Sequence, residues 1–164
     1  MAMIIDGTNG LTFNNSTVQA SAGQVLQVVN ATTSTEVSSS SSTYADTGLT
    51  ATITPKFATS KILVLASICG LGKSNASSTN SVDLQLVRNS TSIFQFEASA
   101  AYNNANAVNY VGGASCNYLD SPATSSATTY KVQFASDVNA AAVYVQARNI
   151  RLAASSITLL EIAG

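Results

Sequence analysis

The chain contains no histidine and no tryptophan, only two cysteines and two prolines, and charged residues make up just 9% of its 164 positions. Without histidine it lacks the commonest general base, the usual activator of a serine or cysteine nucleophile, and the ligand on which most transition-metal sites rest. Cys69 and Cys116 alone cannot complete a tetrahedral zinc site. A Ser–Lys dyad is formally open, but nothing marks one pair. Paired carboxylates for glycoside hydrolysis would draw on Asp83, Glu97, Asp120, Asp137 and Glu161. Each has a simpler place. Asp120 and Asp137 sit in turns, Glu97 ends a strand, and Asp83 and Glu161 alternate with apolar neighbours, which directs them away from a core. No enzyme is expected, and no catalytic residue, cofactor or metal is assigned.

The scarcity of charge excludes further classes. Lys and Arg total seven, scattered along a chain of net charge −1. Nucleic-acid binding through neutralised phosphates needs a basic stripe, and there is none. Lys56 and Lys61 flank one loop and Arg148 and Arg151 form a near pair, both read as solvated loop charge. No apolar run reaches the ~18 residues of a helical membrane span. Ordinary soluble domains carry about 25% charged residues, so this exterior must be built from Ser, Thr, Asn, Gln and Ala. Such groups lose less on desolvation than ions do, and they can pair across an interface. Composition fits equally a protein packed in an assembly and a secreted β-domain with a hydroxyl-rich surface. No signal peptide supports secretion, and the Asn-X-Ser/Thr triplets at Asn14, Asn15, Asn30, Asn75 and Asn89 are expected by chance in such a chain. Free thiols are favoured over a disulfide for the two cysteines, because bridging distance cannot be read from spacing.

What is present is β patterning. Short apolar runs and strict alternation, bounded by Gly, Pro, Asn and Ser, recur from residue 25 to the end. Leu49, Ala51 and Ile53 share one face of a strand that Pro55 stops. Lys61–Cys69 is the most hydrophobic run, expected to be central and buried on both faces. Val82–Val87 and Ile93–Phe96 flank Arg88-Asn89-Ser90-Thr91 as a hairpin. Gly112-Gly113 suggests a bulge or close backbone approach, and Ile157–Ile162 is a final buried strand. Nine or ten strands and no helical period predict an all-β fold, an antiparallel two-sheet sandwich, with a jelly roll preferred. An immunoglobulin-like sandwich is the alternative, disfavoured by the missing tryptophan.

The first 23 residues read differently. Asp6-Gly7 and Asn9-Gly10 are turn dipeptides, and Ile4, Ile5, Leu11, Phe13 and Val18 are apolar residues isolated in a Thr/Asn/Ser background. Asp6–Gly10 resembles a calcium loop in miniature but lacks further acidic ligands, so a turn is preferred. Residues 1–23 are expected to be an extended anchoring arm and residues 24–164 the sandwich. The arm contacts are assigned to Ile4, Ile5, Asp6, Asn9, Leu11, Phe13 and Val18. The loops around Asn75 and Asn80 and around Tyr102 and Asn106 are candidate outer-surface contacts, with Tyr102 as a sugar-stacking platform.

The opening IDGTNGLTFNNSTVQASAG resembles the N-terminal motif of tailed-bacteriophage fibre and virion proteins, carried here by Gly7–Gly10, Leu11–Asn14 and Val18-Gln19. The later SKILVLASI, VDLQLVRNSTSI, YLDSPATSSATTYKVQFAS and SITLLEIAG are similar to small phage domains and loosely resemble the trimeric jelly rolls of C1q- and tumour-necrosis-factor-like proteins. The resemblance implies a virion structural protein. One arm and one head domain suit a capsid decoration or cement protein, or a short head fibre. Its implied partners are two further copies of itself, in a homotrimer with Tyr and small residues along the threefold axis, and the major capsid protein. Its implied place is the capsid exterior, after synthesis in the bacterial cytoplasm. The alternative is a short tail-fibre or adhesion head that holds a host-surface glycan. Neither reading involves nucleic acid or membrane.

Overall fold

A computed structural model describes residues 4–6, 10–12, 18–19, 23–74, 80–103, 108–138, 141–147 and 154–164, the first three stretches by their backbone alone. The described residues contain strands and connections but no helix. The fold class is all-β, with two antiparallel sheets packed as a sandwich.

Part of the segment expected as an extended arm is folded on itself. Three short strands, β1 (Ile4–Asp6), β2 (Gly10–Thr12) and β3 (Val18–Gln19), form an antiparallel sheet of their own. Asp6 pairs with Gly10 and Thr12 with Val18. The turn-forming dipeptides thus bring the chain back on itself, which satisfies backbone groups that an extended arm would leave to solvent or a partner. The pairing of the sandwich begins at Gly23, whose amide donates to the Ala163 carbonyl, while the Ala163 amide donates to Gln24.

The first large sheet contains β4 (Val25–Thr33), β13 (Ser155–Ile162), β7 (Lys61–Lys73) and β10 (Asn109–Asp120) side by side, with the short β5 (Val37–Ser39) and β12 (Val143–Val145) continuing it beyond the end of β13. The second runs β6 (Ala45–Ile53), β11 (Thr128–Ser136), β8 (Val82–Arg88), β9 (Thr91–Ala100). The chain passes from one sheet to the other between β5 and β6, β6 and β7, β7 and β8, β9 and β10, β10 and β11, and β11 and β12.

Alternation decides which side chains enter the core. Leu49, Ala51 and Ile53 are buried as their spacing predicts, and with Leu84, Leu86, Tyr130, Val132 and Phe134 of the same sheet they form one core cluster with Ile62, Val64, Ala66, Ile68, Ile157 and Leu159 of the first. The hairpin between β8 and β9 turns at Asn89, whose φ of 55° lies in the left-handed region that Asn tolerates. At the Gly112–Gly113 bulge, Gly112 has φ 85° and a Cβ on Gly113 would collide with the Ile68 carbonyl.

β7 is central, but it is not buried on both faces. Ile62, Val64, Ala66 and Ile68 are inside, while Leu63, Ser67 and Cys69 are half-buried and Leu65 is 36% exposed. The run is rich in apolar residues on its second face too, where Leu63 and Leu65 stay partly exposed among the described residues.

Candidate functional site

The uncovered face of β4, β13, β7 and β10 follows from cross-strand register. Val28, Leu160, Leu63 and Leu119 lie in one row across all four strands. The next row is Asn30, Thr158, Leu65 and Asn117, and the next is Thr32, Ser156, Ser67 and Ser115. Val28 and Leu119 are 58% and 52% exposed. The three rows hold no charged residue, and Lys61, paired with Ile162, lies at the margin. Their polar members are small: the Asn30 amide donates to Thr158 Oγ1 at 2.9 Å, and the hydroxyl row can exchange water for a neighbour at little cost.

The opposite outer face, on β6, β11, β8 and β9, has another character. Lys131 Nζ lies 2.8 Å from Asp46 Oδ1, and Gln133 Nε2 donates to the same oxygen. Gln85 Nε2 donates to Gln133 Oε1 and Ser92 Oγ to Gln85 Oε1, at 2.9 and 2.7 Å. This chain of contacts crosses four strands and satisfies its groups within the subunit. One broad face therefore carries a paired polar network across its four strands, and the other is uncharged, with an apolar row and Leu65 set beside small polar residues.

Two buried anchors hold the sandwich at the end where the chain enters it. Asp120 ends β10 and is not a solvated turn residue: its carboxylate accepts from Arg88 Nη1 through both oxygens at 2.9 Å and from the Tyr130 hydroxyl at 2.6 Å. Arg88 and Tyr130 belong to the second sheet and Asp120 to the first, so the group ties the sheets together. Burial, and then Asp120, pushes the Tyr130 hydroxyl above its ordinary pKa. Glu161 was expected to point outward, but it is fully buried beside Ile157 and Leu159 on the inner side of β13. Gln27 Nε2 donates to its Oε2 at 2.6 Å and the Lys56 amide to its Oε1 at 2.7 Å. Burial alone would raise the Glu161 carboxyl, yet these donors, with the Phe57 amide, hold it below the usual range. Its apolar neighbours disguised it, because the donors come from a loop and a distant strand.

The acidic end of the second sheet was also missed. Asp83 is half-buried, and its carboxyl is pushed up to about 6 by burial, then by Asp137 and Glu97. Burial, Asp83 and Asp137 also raise Tyr44. Glu97 lies within β9, not at its end.

The predicted site residues separate. Ile4, Ile5, Asp6, Leu11 and Val18 belong to the N-terminal sheet, described by backbone only, while Asn9 and Phe13 lie outside the described residues. Asn75 and Asn106 are outside them too. Asn80 is no surface contact: it is fully buried, its amide donates to the Ala141 carbonyl at 2.8 Å, and its Oδ1 accepts from Ser136. The core fills that position because Asn80 closes the end of the inner face next to Val82. Tyr102 is 53% exposed and remains available. Cys69 and Cys116 are free. Cys116 pairs with Ala66 on the inner face, and Cys69, three residues farther along β7, is on the other side of the sheet, so the thiols diverge. Burial pushes the Cys116 thiol up to about 11, partly offset by the Ala66 backbone.

No protein-family model matches the chain, and a search of curated proteins finds no match.

Proposed function

We propose that this chain is a structural subunit of a tailed-bacteriophage particle, a capsid decoration or cement protein that forms homotrimers and braces neighbouring capsomers. The observation that carries the reading is the contrast between the two outer faces. Val28, Leu160, Leu63, Leu119 and Leu65 make an apolar, charge-free surface on a four-stranded sheet, of the kind a second copy covers. On the opposite face Asp46, Lys131, Gln133, Gln85 and Ser92 are paired with one another within the subunit. In a trimer each copy would pack this face toward the threefold axis.

The preferred jelly roll is supported by the strand order, in which β4-β13-β7-β10 faces β6-β11-β8-β9 with repeated crossings between sheets. The segment before Gly23 supplies the contact to the major capsid protein. Three such contacts per trimer multiply a modest affinity through effective concentration, and binding only the assembled shell stabilises it. The adhesion alternative keeps Tyr102 but loses Asn80 to the interior.

The test is the copy number and position of the protein on purified particles, with a variant lacking residues 1–22. Many copies spread over the head, lost with the deletion, support decoration. A few copies at the tail support adhesion.

A further inference from the structure

At the end of the second sheet remote from Asp120, three oxygen-bearing side chains share the outer face. The Asp137 amide donates to the Ser81 carbonyl at 3.1 Å, which sets these two residues opposite each other just after β11 and just before β8. Asp83 follows Ser81 by two positions, opposite Ala135, which precedes Asp137 by two. The backbone bond extends the β8–β11 ladder by one pair beyond the strands, and continued alternation puts Ser81, Asp83 and Asp137 on one side; side chains directly opposite on adjacent strands have Cβ atoms about 5 Å apart.

Two of their oxygens have no hydrogen-bond partner among the described residues. Ser81 is fully buried and its Oγ makes no hydrogen bond; Asp83 Oδ1 is also buried and makes none. Orphaned buried oxygens are rare because each forfeits its solvation. Asp83 also faces Asp137 and Glu97 as like charges, and the Tyr44 hydroxyl stands near Asp83 and Asp137. Among the described residues no Lys or Arg pairs with Asp83 or Asp137; the two ion pairs are Arg88–Asp120 and Lys131–Asp46. Glu97 Oε1 is occupied by the Ala98 and Ser99 amides.

We propose that Asp83, Asp137 and Ser81 bind one hard divalent cation, calcium. The donors are two carboxylates and a hydroxyl, with no nitrogen or sulfur, which is the set that hard cations take. Among the described residues no three acidic or thiol side chains gather as ligands, so the protein supplies part of the shell and water the remainder. A partial shell places the affinity with the weak calcium sites of about 10⁻⁴–10⁻³ M. The ion would satisfy both orphaned oxygens, offset the carboxylate repulsion and tie the turn after β11 to the start of β8.

The test is thermal unfolding of the full chain at neutral pH in EDTA and in calcium chloride, at matched ionic strength. About 5 mM calcium is expected to raise Tm by roughly 3–6 °C for a chain of this size and a site of that affinity. Isothermal titration with calcium chloride should give one ion per chain. Asp83→Asn and Asp137→Asn should each lose the calcium response, and Asp83→Asn should melt higher than the parent in EDTA because the repulsion is relieved. Asp137 is exposed, so its variant is expected to fold even where Asp83→Asn does not. An absent calcium response in the parent, or a response that persists in Asp137→Asn, overturns the proposal.

Discussion

Leu65→Asp places a carboxylate in the middle of the apolar face. Leu65 is 36% exposed in the subunit, so about two thirds of its burial is already made there. Complete burial of a leucine is worth about 1.5–3 kcal/mol, leaving roughly 0.5–1 kcal/mol per subunit to be gained on association. The ion has a larger effect. Each unpaired carboxylate taken from water costs several kcal/mol, and the rows around residue 65 hold Asn30, Thr158, Asn117 and serines but no cation. Three symmetry-related carboxylates at about 3 kcal/mol each weaken the trimer by roughly 9 kcal/mol, over six powers of ten in its dissociation constant. The assay is sedimentation velocity near pH 8, where protonation gives the carboxyl no escape, with circular dichroism to verify the sheet structure. The variant should sediment as a folded monomer. Thr52→Asp, on the opposite outer face, should leave the trimer intact. A Leu65→Asp protein that remains trimeric with its fold preserved refutes the assignment of this face.

Other perturbations test the anchors and the acidic end. Asp120→Ala leaves the half-buried Arg88 and the buried Tyr130 hydroxyl without their shared partner and should cost about 3 kcal/mol in urea unfolding, whereas Tyr130→Phe removes one charge-assisted hydrogen bond and should cost about 1.5–3 kcal/mol. Glu161→Ala leaves the Lys56 amide without its acceptor and removes one of the two acceptors of Gln27 Nε2, for an expected loss of about 2–4 kcal/mol read from the same curves. For Asp83 the folded carboxyl keeps its proton up to about 6 while the unfolded one releases it near 3.8. The folded state therefore binds more protons in that window, and this contribution to stability is complete below the unfolded value and disappears as pH rises through the folded one. In EDTA, Asp83→Asn should flatten that part of the stability–pH curve, and an unchanged slope would assign it to another group.

The strands were legible because their period was. Leu49, Ala51 and Ile53 alternate with threonines and are buried accordingly. The second face of β7 was not legible, because Leu63 and Leu65 look the same whether a sheet or another subunit covers them. Glu161 misled for a related reason: alternation gave its period correctly but not its side, and only the register with Gln27 shows that donors await it inside. Asn80 sits in a polar tract that reads as solvated loop, although Ala141 and Ser136 bond it in the core. The turn signals at Asp6-Gly7 and Asn9-Gly10 foreshadowed the β1–β2 pairing, yet without neighbouring apolar density the segment read as extended. Glu161 and Asn80 both depend on partners distant in sequence, and alternation carries no information about those.

The central claim is that an uncharged sheet face is made to meet other copies of itself. Native mass spectrometry of the purified full-length chain tests it most directly. A dominant species of three chains at micromolar concentration is the predicted outcome, and a spectrum of single chains at that concentration would contradict it.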